Sequence, residues 1–583
     1  MRSQKQKMLN TFVVAGSEAN IHFLTDCPGK AEEGMNRFKR CLRNQPVGTV
    51  KNRLIVFLFF LIFFSACFGG GASEAIGATY YVKNGGNDKL AGTSDATAWA
   101  RCPGMAGWSG TATLAPGDVV YFREGNTWTS AARPILATKD GVTYSGKGYG
   151  SLGVRAKLKA YGTPSGTPSS GVIDIYASNV TVKGFEVDAS EQSIGGIYIG
   201  YAAGYFDVTD IVVDDCVVHD IGGDEASTTE YYYGILVGQK HGYKTKNVTI
   251  TNTEVYRTGH EGISLYPSRQ YANLIENVTV RGCTIHDTGY WGGATWGHGL
   301  DVGLHASNIL FEYNTIYNTY NGIAVVTYAD HPTTAPYTVG YPDNVTIRYN
   351  YIYNTSDRIG INLKPQNNSW TGWGKVYVYG NILYNANIYL SGGNYWNMPV
   401  KVYNNTIYNT IENLRGVWLY ETATNTSGIE IKNNIIYSGG GGAAFCLDDY
   451  GSLIADNNHS NNLYYRVSGS LVRQGTIYYT GSNINTWEST AQNADPLFTK
   501  GTLPTGFVEN SATGMIPNTD YFTISSGNAI NNGATLGWPY DGCVNWTGSE
   551  DVACRTAGAY DIGAYEIPAV VNTVPRTKVS RLK

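Results

Sequence analysis

The stretch Gly299–Asn318, GLDVGLHASNILFEYNTIYN, carries the phrase on which the rest of the chain is built. It reads as two short strands. GLDV puts Leu300 and Val302 on one face and Asp301 on the other, and NILFEYNTIYN follows as an alternating run ending in Asn, an apolar residue and Tyr. Aligned on the apolar residue before that Tyr, the same phrase recurs as IVVDDCVVHD, ITNTEVYRTG, VRGCTIHDTG, FEYNTIYNTY, IRYNYIYNTS, VYGNILYNAN, VYNNTIYNTI and IKNNIIYSGG. The anchors are Val218, Val255, Ile285, Ile316, Ile352, Leu383, Ile407 and Ile436, separated by 37, 30, 31, 36, 31, 24 and 29 residues. A fixed motif at a variable period describes coils of one core length joined by loops of differing length, which is a solenoid.

The period inside each phrase is two, so the repeating units are strands. Two residues before the anchor stand Cys216, Thr253, Cys283, Asn314, Asn350, Asn381, Asn405 and Asn434. One residue after it stand His219, Tyr256, His286, Tyr317, Tyr353, Tyr384, Tyr408 and Tyr437. Parallel strands stack about 4.8 Å apart. At that spacing Asn amides bond along the stack and aromatic rings pile on one another. A second strand opens each time with Gly and an apolar residue: GIYI, GILV, GISL, GLDV, GIAV, GINL and GVWL, at Gly196, Gly234, Gly262, Gly299, Gly322, Gly360 and Gly416.

Parallel strands, no long helical pattern, and Gly and Asn at the corners give an all-β fold, a parallel β-helix of about ten coils. The opening TYYVKNGGNDKLAGTSDATAW, the PGDVVYF at Pro116–Phe122 and the closing DPLF…DYFTISSGNAINNG…DIGAYE resemble the ends of secreted bacterial right-handed parallel β-helix proteins of the pectate-lyase-like superfamily. The resemblance covers most of residues 79–566. The expected layout along the chain is an N-terminal cap over 79–115, the right-handed parallel β-helix over 116–465, an irregular C-terminal capping region over 466–568 and a disordered tail over 569–583.

Residues 1–78 read as a leader. Lys51-Asn-Arg53, the apolar run Leu54–Phe64 and the small residues after it form a secretory signal, and Met35 would give it a conventional basic start. The run falls short of the roughly 20 apolar residues of a membrane span. Two maturation routes are open. Cleavage after Ala75 or Ala78 frees the protein; Phe64-Ser-Ala-Cys67 resembles a lipobox and would leave Cys67 lipid-anchored. Either places the protein outside the cell or at its surface. Removing residues 1–78 leaves 32 basic against 41 acidic side chains, which argues against a nucleic-acid partner. Cys216 and Cys283 lie two rungs apart, roughly 9.5 Å, too far to bridge, and are read as core thiols. Cys543 and Cys554 are the expected disulfide. Oligomeric state is not legible.

Chemistry is sought in the slot between the two inward residues of the Gly-apolar strand. It holds Tyr198, Leu236, Ser264, Asp301, Ala324, Asn362, Tyr389 and Trp418, with Lys364 two residues further along one strand and Glu261, His298 and Arg358 just before others. Aromatics gather nearby at Tyr290, Trp291, Trp296, Tyr328, Trp370, Trp373 and Trp418, as a groove for sugar rings requires. The expected partner is a polysaccharide. For hydrolysis, Glu261 and Asp301 form the carboxylate pair, with His298 tuning protonation. For β-elimination, Lys364 is the base, and Ca²⁺ is held by Asp301, Glu261 and Asp224. The plain reading of Asp301 is a solvated surface residue, and of His219 and His286 members of the Tyr ladder. Gly297-His298-Gly299 resembles one polygalacturonase element, but the NTD element occurs only at Asn518–Asp520, so that family's catalytic roles are not carried over. The leading expectation is an exported lyase or glycoside hydrolase; the alternative is a non-catalytic glycan-binding or adhesin-like surface protein.

Overall fold

The chain divides into two units, Met1–Ala75 and Ile76–Lys583. The computed structural model describes residues 77–564, except 132–133, 162–169, 202–205, 223–231, 239–241, 267–273, 290–296, 304–305, 328–341, 366–373, 392–398, 421–427, 455–457, 499–521, 523, 525, 537–539 and 541–559. The expected disulfide partners Cys543 and Cys554, the leader and Cys67 lie outside the described residues.

The described residues form three long sheets of 13, 13 and 12 strands, in which, apart from the first pair, Thr79–Val82 with Val119–Phe122, and the last, Val472–Gln474 with Ile477–Tyr479, each strand pairs with the strand three before or three after it in chain order. That connectivity is a solenoid of three-stranded coils, and the fold is a right-handed parallel β-helix. The first sheet runs from Thr79–Val82 to His459–Ser460, the second from Ile135–Ala137 to Ile477–Tyr479, and the third from Thr127–Ser130 to Leu463–Arg466. The stack is taller than the ten coils read from the repeat, because its outermost rungs lack the Asn-apolar-Tyr phrase. It closes on a reversal: Val472–Gln474 pairs antiparallel with Ile477–Tyr479. Among the described residues the helix Ile484–Trp487 follows, and none is long and apolar enough to cross a membrane.

The interior is apolar and continuous. Ile263, Leu300, Ile323, Ile361, Ile388 and Val417 occupy successive rungs of one inward column, and none has measurable exposure. The recurring glycines are explained by close approach. A Cβ on Gly299 would stand 2.7 Å from the carbonyl oxygen of Gly322, and one on Gly322 would stand 2.5 Å from that of Gly360.

The Asn column is a hydrogen-bonded ladder. Asn314 Nδ2 donates to Asn350 Oδ1 (2.9 Å), and Asn350 to Asn381, Asn381 to Asn405, Asn405 to Asn434 and Asn434 to Asn462, each at 3.0 Å. Each acceptor oxygen also receives the backbone N–H of the preceding Asn, as Asn350 N does with Asn381 Oδ1 at 3.0 Å. The ladder ends on the Glu488 carboxylate, which accepts from Asn462 N (2.8 Å), Asn462 Nδ2 (3.1 Å) and the Tyr464 hydroxyl (2.8 Å). A carboxylate suits that place because it accepts and never donates.

The Tyr column stacks as expected, and the two histidines belong to it. His219–Tyr256, Tyr256–His286, His286–Tyr317 and Tyr317–Tyr353 have centroids 5.0, 5.0, 4.7 and 4.9 Å apart and planes within 8°. Acidic neighbours hold both imidazoles: His219 Nδ1 faces Asp220 at 2.8 Å, and His286 Nδ1 faces Asp287 at 2.8 Å. Cys216 and Cys283 are buried free thiols, and burial pushes both up to about 12. Residues from the C-terminal end pack back on the stack: Asn404 Nδ2 donates to the Tyr540 carbonyl at 2.6 Å, and Phe522 packs against Tyr351, Tyr384 and Tyr408.

Candidate functional site

The second sheet carries the slot column in the expected register. Tyr198 pairs with Leu236, then Ser264, Asp301, Ala324, Asn362, Tyr389 and Trp418 follow rung by rung, and the column continues to Asp448 and Arg473. Its surroundings differ from the expectation of an open face. Tyr198, Leu236, Ser264 and Ala324 are buried completely, Asp301 is 1 % exposed and Asn362 7 %. Asp301 is therefore not a solvated surface residue. It lies on the outer face of its strand but is withdrawn from water.

A second column stands one position before the glycines. The backbone carbonyls of Tyr233, Glu261, His298 and Asn321 accept from Gly196, Gly234, Gly262 and Gly299, so these four residues are equivalents on successive coils. Glu261, His298 and Asn321 are all buried. The two columns meet in side-chain contact: Asn362 Nδ2 donates to Asn321 Oδ1 at 2.8 Å. By the repeat of the solenoid, Glu261 stands in relation to Asp301 as Asn321 stands to Asn362, one coil earlier in each pair.

The hydrogen bonding of the centre is sparse. Ser264 Oγ donates to Asp301 Oδ2 at 3.3 Å, while Asp301 Oδ1 has no partner among the described residues. His298 Nδ1 is likewise without one. Glu261 Oε2 is engaged by His260 Nδ1 in a very short contact. Burial sets the protonation of these groups. It raises the Asp301 carboxyl to about 7 against the opposing pull of the Ser264 hydrogen bond. It lowers His298 to about 4, helped by the positive charge of Lys364. It lowers His260 to about 3, helped by His298. Near neutral pH the centre thus holds two uncharged imidazoles and a carboxyl that is about half protonated.

The other expected residues fall in several places. Lys364 is half-buried and near enough to act on His298 electrostatically. Arg358 is exposed, at a left-handed turn position (φ 58°) before its strand. Trp418 is half-buried, packed against Tyr389 and beneath the Arg415 guanidinium. Tyr290, Trp291, Trp296, Tyr328, Trp370, Trp373 and Asp224 lie outside the described residues. For the expected Ca²⁺ the described residues offer two carboxylates, one already bound to His260, whereas Ca²⁺ takes six to eight oxygens. They do not make a calcium cage by themselves. A cluster of three possible metal ligands, Asp188, His219 and Asp220, lies on the third sheet, where Lys157, Lys159 and Arg257 already supply positive charge. A cavity of about 320 Å³ lies far from this chemistry, in the N-terminal region beside Arg101, Trp128 and Pro134.

Sequence reasoning passed over Ser264 as the partner of Asp301, and Asn321. It also missed a buried ion cluster further along the column. Asp448, fully buried, is held by Arg415 and by Arg473 through Nε (2.6 Å) and a terminal guanidinium nitrogen (2.8 Å). The signal for Ser264 and Asp448 was their place in the slot column; that for Asn321 was its place before Gly322.

Residues 228–407 match the family model described as "Right handed beta helix region". No curated protein matches the chain. Solved structures with similar folds include the pectate lyase Pel9A (16 % identity, 85 % of this chain and 97 % of that one, TM-score 0.42). Another is a GH136 lacto-N-biosidase from Eubacterium ramulus (13 %, 77 % and 72 %, 0.39). A third is PfbA, a surface adhesin of Streptococcus pneumoniae (15 %, 62 % and 80 %, 0.37). The chain folds as a right-handed parallel β-helix, and residues 228–407 carry the family's right-handed β-helix region.

Proposed function

We propose that the protein is a carbohydrate-active enzyme that hydrolyses an extracellular polysaccharide on the face of the second sheet. The observation that carries this reading is Asp301: a carboxyl buried between Leu300 and Val302 of its strand, one oxygen held by Ser264 and the other without a partner among the described residues, its value raised to about 7. A solenoid gains nothing in stability from such a group, since an unsatisfied buried polar atom costs about 1–3 kcal/mol. A carboxylic acid kept protonated near neutral pH can donate its proton to a glycosidic oxygen as the bond breaks.

In this reading Asp301 is the proton donor and Glu261, one coil earlier, is the second carboxylate. His298 stays uncharged and leaves Asp301 as the acid. Lys364 lowers His298 and binds a substrate oxygen. Export of the protein is part of the proposal and is supported by the signal-like pattern of residues 51–78.

The test is incubation of the protein, expressed from Thr79, with neutral and uronic-acid polysaccharides, with Ca²⁺ and with chelator. Reducing ends without ultraviolet absorbance of unsaturated uronates, lost in Asp301→Asn, are the expected result. Reducing ends with that absorbance, lost in Lys364→Met, would replace hydrolysis by elimination. No cleavage of any polymer by a folded β-rich sample would refute the enzyme and leave the binding reading.

A further inference from the structure

The two histidines of the Tyr column bring acids with them. His219 and His286 are each followed by an Asp, Asp220 and Asp287, whereas Tyr317, Tyr353 and Tyr384 are each followed by an Asn. A second acid comes from the coil before. Glu186 pairs with Val217, two residues ahead of His219, and Glu254 pairs with Thr284, two residues ahead of His286. For Tyr317, Tyr353 and Tyr384 that place in the preceding coil holds Thr284, Thr315 and Tyr351. Along this part of the column the acids track the imidazoles.

Both ring nitrogens of His286 face a carboxylate: Nδ1 lies 2.8 Å from Asp287 Oδ2 and Nε2 3.4 Å from Glu254 Oε1. His219 repeats the arrangement with Asp220 at 2.8 Å and Glu186 at 3.2 Å. A neutral imidazole has one N–H and one lone pair, so it would turn that lone pair on one of the carboxylates. Only the imidazolium donates from both nitrogens. Tyr256 and Tyr317 cover the two faces of His286, with centroids at 5.0 and 4.7 Å and planes within 4°, and aromatic faces favour a cation. Burial pulls the His286 imidazole down, but the hydrogen bonds and charges of Asp287 and Glu254 outweigh it and hold it above the ordinary 6.5. The other described groups around these carboxylates are cationic or neutral. Arg155 and His219 act on Glu254, Arg257 from the Tyr256 coil acts on Asp287, and Asn318 from the coil after donates to Asp287 Oδ1 at 3.1 Å.

The two coils that meet at His286 are those of the candidate site. Glu254–Thr258 leads to Glu261, and Thr284–Thr288 leads to His298. At the strand ends Gly289 N donates to the His260 carbonyl at 3.1 Å, and Thr288 Oγ1 donates to the Gly297 carbonyl at 2.5 Å. We infer that His286 is a proton-operated clasp: as an imidazolium it ties Glu254 of one coil to Asp287 of the next between two tyrosine rings, and it releases them on losing its proton. The coils beside the candidate site are then held by a joint whose strength depends on pH without any catalytic group titrating. The clasp goes beyond the proposed function and needs no part of it. Because the folded value is raised, its stabilisation is complete below about pH 6.5 and is lost as pH rises through the folded value.

NMR of the protein expressed from Thr79 with isotope-labelled histidine, together with urea unfolding from about pH 5 to about pH 9, tests it. The His286 resonances are those missing from His286→Tyr, which puts the column's usual residue in its place; should that variant fail to fold, they are those that move in Asp287→Asn. Wild-type His286 is expected to carry a proton on both ring nitrogens at about pH 6.5 and to titrate above that value, and Asp287→Asn to lower the midpoint. Wild type is expected to lose stability relative to His286→Tyr as pH rises through the midpoint, by about tenfold in the unfolding constant for each unit by which the midpoint exceeds 6.5. A single neutral tautomer at pH 6.5, a midpoint at or below 6.5, or the same pH dependence in wild type and His286→Tyr would each overturn the clasp. Polymer cleavage is scored apart from these readouts. A doubly protonated His286 with no cleavage of any polymer keeps the clasp and sinks the enzyme, and cleavage with a neutral His286 does the reverse.

Discussion

Replacing Asp301 by Asn should make the protein more stable and inactive at once, and the gain in stability should depend on pH. The Asp301 carboxyl is 1 % exposed and holds its proton to about 7 instead of the usual 3.8. Its folded-state value is raised, so the native state binds more protons than the unfolded one between these limits. Stability is then lost as pH rises through that window, and the full penalty stands above pH 7. At 1.36 kcal/mol per pH unit the penalty is roughly 1.5 kcal/mol near pH 5 and on the order of 4 kcal/mol above pH 7. Asn keeps the acceptor for Ser264 Oγ and carries no titrating proton. Urea midpoints of wild type and Asp301→Asn, measured from about pH 5 to pH 8, should diverge progressively in favour of the variant. Loss of a general acid should lower polymer cleavage by about 10²- to 10⁴-fold in the same variant. A variant less stable than wild type at pH 8, or an advantage that does not grow with pH, would refute the argument from burial. Undiminished cleavage would refute the role.

Asn381→Ala should destabilise the middle of the stack by about 3–5 kcal/mol, since it strands the backbone N–H of Asn350 and empties a buried site, and hydrogen exchange should localise the opening to the flanking coils. Glu488→Ala should cost a similar amount by leaving Asn462 and Tyr464 donors unmet, whereas Glu488→Gln, which keeps an acceptor, should cost less; equal melting temperatures for the two would refute the terminator role. Lys364→Met should raise the His298 value only slightly above about 4 in an imidazole NMR titration, because burial, the larger cause, stays and only the positive neighbour is removed; an unchanged value would refute the Lys364 contribution. Gly322→Ala should lower expression and melting temperature, because its Cβ meets the Gly360 carbonyl at 2.5 Å.

The repeat made the fold legible because each side chain on the stack meets its own kind. The Asn ladder, the His–Tyr pile and the glycine column are all visible as columns of letters. The slot register followed from the same alternation, and the structure keeps it from Tyr198 to Trp418. What the columns could not convey is depth. Asp301 reads as outward and is outward, yet it is buried, and burial depends on the whole surroundings and not on its own strand. Glu488 was invisible for a related reason. It ends a ladder of Asn from a segment with no repeat, so no periodicity points to it. The aromatic loops that sequence reasoning assigned to substrate, Trp291, Trp370 and Trp373 among them, fall outside the described residues and remain expectations.

The Asn ladder has a direction. Every side-chain amide hands its proton toward the next coil, so each coil is complete only when its successor is in place. During synthesis the chain therefore always ends in a growing face whose donors are unmet, and Glu488 is the stop that retires it. A chain cut before that residue presents the open face of Asn462 and the unpaired strand Leu463–Arg466 together. An open strand edge of that kind is a ready template for pairing with another chain, and the Glu488 segment covers it.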